Sequence, residues 1–473
     1  MAGQLVVKAL SFVFAVYVVR ELGDASFGQY SFILAYVALF AIFSDLGLAP
    51  YVVREVAKDR SRAAYLYSNA VAIRLILSAL VVAAATIAAL FLNYRSDVVL
   101  GVFLAGCGLF LYALQGMLDS VVMGREKLNY SAVMGICNQL VFVLMGTLAL
   151  VMDWGLIGLI VASLAGIAIS ALVGVALIAG RLRWPTLSLD ARAWPALVKA
   201  ALPLGGIGVA LAISYKIDTV LLSFFRGDAE VGWYNAAYNL IFTLMTVSHG
   251  VNLALYPSLS RAQVLNPGAV SVAGQTSLRY LLAMSMPLAV GGAMLADRIV
   301  RFLYTDAFAS SGAALGILIL VLPLMFTTEL LGYLTLVTNR EWSATRVFLI
   351  GAGANLGLNL LLLPVYGLLG AAIVTVLTEA IILVQFLALL RRTISLGSMV
   401  ASALRIGAAC VVMGAFVLAV RDMSLPAIVA SAGVVYFIAV LAFGVVGLGE
   451  LRLARSLVGR RPAGQLVSQE DLS

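Results

Sequence analysis

The chain has 473 residues, of which 63% are hydrophobic and only 11% charged, with a formal net charge of +8. Soluble domains carry roughly 25% charged residues, so this composition excludes a soluble fold and makes the bilayer the solvent. Apolar runs long enough to cross a membrane recur along nearly the whole chain.

Fourteen spans are expected, at residues 4–20, 29–52, 66–92, 98–122, 130–152, 156–180, 200–225, 233–257, 277–296, 312–338, 344–364, 367–390, 398–420 and 425–449. No gap is long enough for a folded extramembrane domain. No secretory signal is expected, and the abrupt start at Met1 suggests that the natural first helix begins earlier. With the N-terminus placed in the cytoplasm, 20 of the 30 Lys and Arg residues fall in even-numbered loops and the tail, and 6 in odd-numbered loops. The positive-inside rule then sets both termini in the cytoplasm, so the charge reports topology and not nucleic-acid binding. Cys107, Cys137 and Cys410 all lie in spans with no metal-ligand spacing, so neither a metal site nor a disulfide framework is expected.

Charges inside spans are costly and mark cavities or partners. Span two carries Asp45 beside Gly47 and Pro50, which permit a local helix break whose freed carbonyls can hold a cation or a headgroup. Arg74 lies deep in span three, where it suits an anion such as a diphosphate or pairs with a buried aspartate. Asp119 closes span four and, like Lys8 and Lys216, sits close enough to a boundary to snorkel. Span seven holds Lys216 and Asp218, two apart and unable to meet on one helix. Span eight holds His249, with Asn252 and Tyr256 on the same face. As the only histidine, His249 opens proton coupling, with a satisfied packing role as the alternative. Glu329 in span ten and Glu379 in span twelve read as ion sites or as partners of Arg405 in span thirteen. Asn355 and Asn359, one turn apart in span eleven, read as glue between helices.

The chain also repeats itself weakly. Phe27-Gly28-Gln29-Tyr30 opens span two as Val231-Gly232-Trp233-Tyr234 opens span eight. Gly124-Arg125-Glu126 precedes span five as Asn339-Arg340-Glu341 precedes span eleven, and Gly155-Leu156-Ile157-Gly158 precedes span six as Gly367-Leu368-Leu369-Gly370 precedes span twelve. Each repeat is six spans, an even number, so the copies are parallel and related by an axis along the membrane normal. The expected organisation is an all-α polytopic membrane protein: a six-helix bundle over 1–180, a cytoplasmic linker over 181–199, a second bundle over 200–392, two extra spans over 393–450 and a tail over 451–473.

The ordered set Val19-Arg20-Glu21-Leu22-Gly23, Phe27-Gly28-Gln29-Tyr30, Asp45-Leu46-Gly47-Leu48 and Arg54-Glu55 resembles the N-terminal signature of polysaccharide biosynthesis (Wzx-type) flippases. These belong to the multidrug/oligosaccharidyl-lipid/polysaccharide superfamily. Ala201-Leu202-Pro203, Val231 to Tyr238, Tyr256 to Arg261 and Pro364 to Ala372 extend the similarity through the second half. The resemblance implies movement of a polyprenyl-diphosphate-linked oligosaccharide from the cytoplasmic to the outer leaflet by alternating access. The sugar would cross in a wet cleft while the lipid tail stays in the bilayer. By position, Arg20 matches a cleft-facing arginine of the first helix, and Asp45 an acidic position of the second. Arg74, Lys216 and Arg405 join them from burial alone, and Asp218, His249 and Asn252 complete the expected cavity lining. Asp45, Glu329 and Glu379 are the candidates for coupling to a Na+ or H+ gradient, with no cofactor. Expected partners are the lipid-linked oligosaccharide, membrane lipids and polysaccharide assembly proteins, with a functional monomer in the cell membrane. A multidrug exporter or a peptidoglycan-precursor flippase of the same superfamily remains the alternative. A membrane enzyme would need a long outward loop with catalytic residues.

Overall fold

A computed structural model describes residues 2–181, 188–265, 267–391 and 393–445. Part of the expected linker, including Pro185, and the expected tail lie outside the described residues. Among the described residues, fifteen α-helices carry the fold. They are α1 (Ala2–Asp45), α2 (Leu48–Lys58), α3 (Ala63–Phe91), α4 (Ser96–Gly124), α5 (Leu128–Val151), α6 (Gly155–Arg181), α7 (Trp194–Arg226), α8 (Asp228–Leu265), α9 (Pro267–Met294), α10 (Ala296–Leu303), α11 (Ser311–Leu318), α12 (Leu322–Val337), α13 (Glu341–Leu389), α14 (Leu396–Ala419) and α15 (Leu425–Ala442). Among the described residues, eleven helices are long and apolar enough to cross a membrane, and α9 with α10, bent by 81°, supplies a twelfth.

Two of these helices are double. At 1.5 Å per residue the 44 residues of α1 would reach about 66 Å, twice a hydrocarbon core. Its helix is interrupted at Gly23, whose φ of 71° suits a residue without a Cβ. Lys8 and Gly47, far apart along α1 and its end, both come to lie near the start of α7. The chain has therefore turned back at Gly23. In α13 the break is Gly367, φ 52°, and the return is direct: Arg340 Nη1 at the entrance donates to the Leu389 carbonyl at the exit, 3.0 Å away. Counting both halves of α1 and α13 gives fourteen membrane-length segments.

Two expected boundaries shift. Span two ends at Asp45, because Leu46 and Gly47 adopt φ of 47° and 82° and stop the helix. Residues 48–52 instead open α2, an amphipathic helix whose buried face is Leu48, Tyr51, Val52 and Val56. The stretch 297–311, read as a loop, contains α10 and a short 3-10 turn. The alternation Ile299, Val300, Leu303 against Asp297, Arg298, Arg301 suits a helix lying along an interface rather than crossing it.

The repeat seen in the sequence is visible in the backbone. Gly23 (φ 71°, ψ 174°) and Gly227 (φ 92°, ψ 179°) break the chain in the same way and are each followed by an aspartate. Positive φ at Glu126 and Asn339, and at Gly155 and Gly367, continues the correspondence. The fold is thus two six-helix bundles plus two C-terminal helices. The bundles meet where α1 packs along α7 and α8, and one large apolar core runs through this seam.

The described end of the bundle connection, from Ser188 on, docks on the first bundle. Asn69, fully buried on α3, donates to the Ser188 carbonyl (3.0 Å) and accepts from the Asp190 N–H and the Trp194 ring N–H (both 2.9 Å). Trp194, Leu197 and Ala201 at the start of α7 then pack against α2, α3 and α4.

Candidate functional site

A cavity of about 520 Å³ opens in the second bundle, walled by α7, α8, α12 and both arms of α13, with Lys8 of α1 on its rim. Its surface is largely apolar and aromatic, with Tyr215, Phe242 and Tyr333 among the lining. Polar groups converge at one point. Glu329 accepts from Ser248 (2.5 Å), meets His249 Nδ1 (2.9 Å) and accepts from Asn252 (3.2 Å). Ser248 and Asn252 are buried beneath it, while the His249 side chain is 62% exposed. Tyr256, on the same face of α8, rests its ring 5.6 Å from Tyr333. Glu379 lies deeper and accepts from Thr328 (3.1 Å). Neither glutamate meets Arg405.

Behind this cavity sits a second polar cluster with no exit to solvent. Asp218 of α7 is 1% exposed. It accepts from Asn359 (2.5 Å), Tyr234 (2.8 Å) and Thr375 (3.1 Å), drawn from α13, α8 and the other arm of α13. Asn355 supports Asn359 from one turn away, and Asn359 Oδ1 finds no donor. Asp218 forms no ion pair among the described residues. A lone carboxylate at this depth is costly unless protonated or holding a cation. The surrounding carboxylate, amide and hydroxyl oxygens are the ligands that a hard cation takes. Lys216, two residues back, points elsewhere, over the face of Phe242 at 5.6 Å, a cation–π contact.

In the first bundle, Arg74 is 2% exposed and sits 3.4 Å from Asp45, whose side chain is 28% exposed. The guanidinium also lies over Tyr112, 5.3 Å from its centroid. Asp45 additionally accepts from the Ala49 N–H, so it caps α2 as well as pairing with Arg74. Asp119 is half-buried, and its Oδ1 has no donor.

Arg20 lies at the end of the seam beside Gly23. It donates to the last carbonyls of α10, Leu303 (2.6 Å) and Phe302 (2.8 Å), from across the bundle interface. Around it Gln29 donates to Asp228 (2.8 Å), Trp233 donates to the Ala307 carbonyl (2.7 Å), and Phe27 stands edge-on to Phe308. This end of the seam is closed by side chains from both bundles.

The expected residues therefore do not form one site. His249, Asn252, Glu329 and Glu379 gather at the cavity; Asp218 is buried behind it; Asp45 and Arg74 pair in the other bundle; Arg20 stands at the closed end; Arg405 lies apart on α14. Ser248, Thr328, Tyr234 and Thr375 complete these clusters without having been singled out. Hydroxyls are common in membrane helices, and only their partners across the bundle reveal them.

Residues 1–263 match the model of the family described as Polysaccharide biosynthesis protein. A probable low-salt glycan biosynthesis flippase, Agl15 of Haloferax volcanii, is 23% identical over 375 residues, covering 79% of this chain and 78% of that protein. A second probable flippase of that organism, AglR, is 30% identical over 183 residues, 35% of this chain and 36% of its own. Among solved structures, the lipid II flippase MurJ in an inward closed conformation superposes with a TM-score of 0.74 at 14% identity, covering 97% of this chain and 99% of that one. An inward-facing multidrug resistance MATE transporter of the MOP superfamily gives 0.67 at 14% identity, covering 82% and 94%. With more than half of its length in register with the family and the rest in the same fold, the chain belongs to the polysaccharide biosynthesis protein family.

Proposed function

We propose that the chain is a flippase that moves a polyprenyl-diphosphate-linked oligosaccharide from the cytoplasmic to the outer leaflet of the cell membrane, with both termini cytoplasmic. The observation that carries the reading is the seam. Two bundles of one family fold meet at an end closed by Arg20, Gln29 and Asp228, and a cavity with a polar floor opens in the second bundle. Parallel six-helix repeats of this kind give alternating access by rocking about their common axis. The excess of Lys and Arg at the opposite end of the bundle supports placing that end in the cytoplasm. The names of the curated relatives support a glycan substrate. The reading is of a transporter, with no covalent step assigned to any side chain.

Ion coupling falls to Asp218 in this reading, with Glu379 as the second candidate. Asp45 faces Arg74 and Glu329 faces His249, whereas Asp218 and Glu379 are buried with no ion pair among the described residues. Asp218 is the one held by both arms of α13, and movement of α7 against α13 would change its ligands.

Reconstitution tests the proposal. In proteoliposomes, a short polyprenyl-diphosphate oligosaccharide should become accessible on the opposite leaflet faster than in empty vesicles. Efflux of a cationic drug without movement of the lipid-linked sugar would move the chain to the multidrug branch, with Glu329 and Glu379 as its cation site. Movement of lipid II alone would make it a peptidoglycan-precursor flippase.

A further inference from the structure

The 8 residues of α10 span about 12 Å and are gripped at both ends. At the last turn, the carbonyls of Phe302 and Leu303 lie past the final helical hydrogen bond, which runs from the Tyr304 N–H to Val300. They accept instead from Arg20 of the first bundle, at 2.8 and 2.6 Å. At the first turn, Arg298 donates through Nη1 to the Arg421 carbonyl (2.6 Å) and through Nη2 to the Met423 carbonyl (2.7 Å). Both carbonyls belong to the turn between α14 and α15. Ile299, the next residue, packs with Leu295 against Met413 and Val417 of α14 and Ile428 of α15. Tyr436 of α15 donates to the Ala283 carbonyl of α9 (2.7 Å), which seats this pair of helices against the one that leads into α10.

Each grip is a guanidinium fork on two carbonyls. At the end of α10 the fork also meets the negative end of the helix dipole. The two grips differ in what they join. Arg20 crosses the seam, so its bonds have to break when the bundles part at this end. Arg298 stays within the second half and ties α10 to the two helices that lie outside both repeats. Arg20 therefore pulls against a short helix whose place is set by α14 and α15. The chain on either side holds α10 lightly. It enters through the 81° bend from α9 and leaves through Tyr304 in an extended conformation. Only Ala296 and Val300 of its side chains are buried, and Asp297 lies against Gly312 of α11. A helix with so small a buried face takes much of its position from the bonds at its ends.

We propose that α10 is a strut that carries the hold of α14 and α15 to the closed end of the seam. Arg20 is the latch. Arg298, whose hydrogen bonds stay within the second half and which does not line the cavity, is a positioning residue for the surface on which the latch closes. The inference rests on the rocking of the two halves in the transport reading. It gives the two helices outside the repeat a part in setting how readily this end opens.

The test uses the full chain in lipid nanodiscs, with spin labels on the two bundles near Gly23 and Gly227. Distances are read by double electron–electron resonance without substrate or ion gradient. R20A should raise the population of the long distance about tenfold, the loss of one charge-assisted grip. R298A should raise it about threefold from the far end of α10, because only part of that hold reaches the seam. R298K, which keeps a donor for the same carbonyls, should restore much of the closed population. The double variant R20A/R298A should open no further than R20A alone, because a strut without its latch transmits nothing. That comparison also decides where R298A melts below the wild type. Wild-type distances in R20A overturn the latch, and wild-type distances in R298A overturn the strut. Effects that add in full in the double variant overturn transmission through α10. Failure to move lipid-linked sugar in proteoliposomes would strike the transport reading and leave these distances as they are.

Discussion

Gly28 and Gly232 pack backbone to backbone across the seam, each against the stretch of chain that precedes the other. A Cβ on Gly28 would run into the Asp228 carbonyl, and a Cβ on Gly232 would run into the Asp24 carbonyl. The contact is reciprocal because the two glycines occupy equivalent places in the two repeats. Small residues at such crossings let helices approach without a polar partner. Gly28→Val or Gly232→Val should therefore hold the bundles apart at this end while leaving each bundle folded. Spin labels on the two bundles near Gly23 and Gly227 should move apart, and transport should fall steeply. Unchanged label distances would show that the crossing tolerates a side chain and is no gate.

Asp218→Asn should remove ion dependence. The amide keeps the shape of the cluster, and Tyr234 and Thr375 can still bond to it, so insertion and folding should hold. Transport driven by a Na+ or H+ gradient should collapse to the rate without a gradient. Thr375→Ala should weaken ion affinity less severely. A D218N variant that still responds fully to both gradients would place coupling elsewhere.

Arg74 and Asp45 should behave as a pair. Removing one partner of a buried pair costs about 3–5 kcal/mol, and the part exposure of Asp45 favours the lower figure. Arg74→Ala and Asp45→Ala should each impair transport while still reaching the membrane. Thermal melting of the double variant should recover part of the loss, since neither charge is then stranded. If its transport also recovers, the pair is structural; if it stays dead, the guanidinium itself meets substrate.

At the cavity floor, Glu329→Ala should be more damaging than His249→Ala. Glu329 holds three partners, whereas the imidazole is largely exposed. Stranding buried Ser248 and Asn252 should cost about 1–3 kcal/mol, against less than about 1 kcal/mol for the histidine. The pH profile of transport should survive His249→Ala. Its disappearance would make the histidine a proton carrier.

On α2, Glu55 gathers Lys58 (2.9 Å) and Arg54 (3.1 Å), and its hydrogen bond to Lys58 holds its carboxyl below the usual carboxylate range. A depressed value means the stabilisation is present above the unfolded carboxyl's range and is lost as pH falls through the folded one. Hydrogen exchange over residues 48–58 should therefore be slow at neutral pH and quicken in acid relative to the intrinsic rate. Glu55→Gln should remove that pH dependence.

Hydrophobic run length and glycine punctuation made the fourteen segments, the duplication and the fold class legible in the chain. The same signal misplaced the end of span two, because Leu48 to Val52 is as apolar as a span and only the left-handed turn at Leu46 and Gly47 shows that the chain has left it. It also passed over α10, whose charged face looks like a loop until its amphipathic face is seen. The sites were less legible. Expected burial singled out Arg74 and Asp218, whose partners lie on other helices, and also Arg405, which is in fact exposed on α14. Asn359 reads as glue until it is found on Asp218.

Ser188, Asp190 and Trp194 are anchored on Asn69, so the opening turns of α7 are moored to the first bundle while Asp218 further along belongs to the second. One helix thus has two owners. Gly205 still packs on the Leu46–Gly47 turn of the first bundle, and Pro203 deprives the Lys199 carbonyl of its helical donor. In a molecule whose halves rock, α7 is the helix that would bend, and Gly206 and Gly208, past the last contact with that turn, are where it has least to hold it straight.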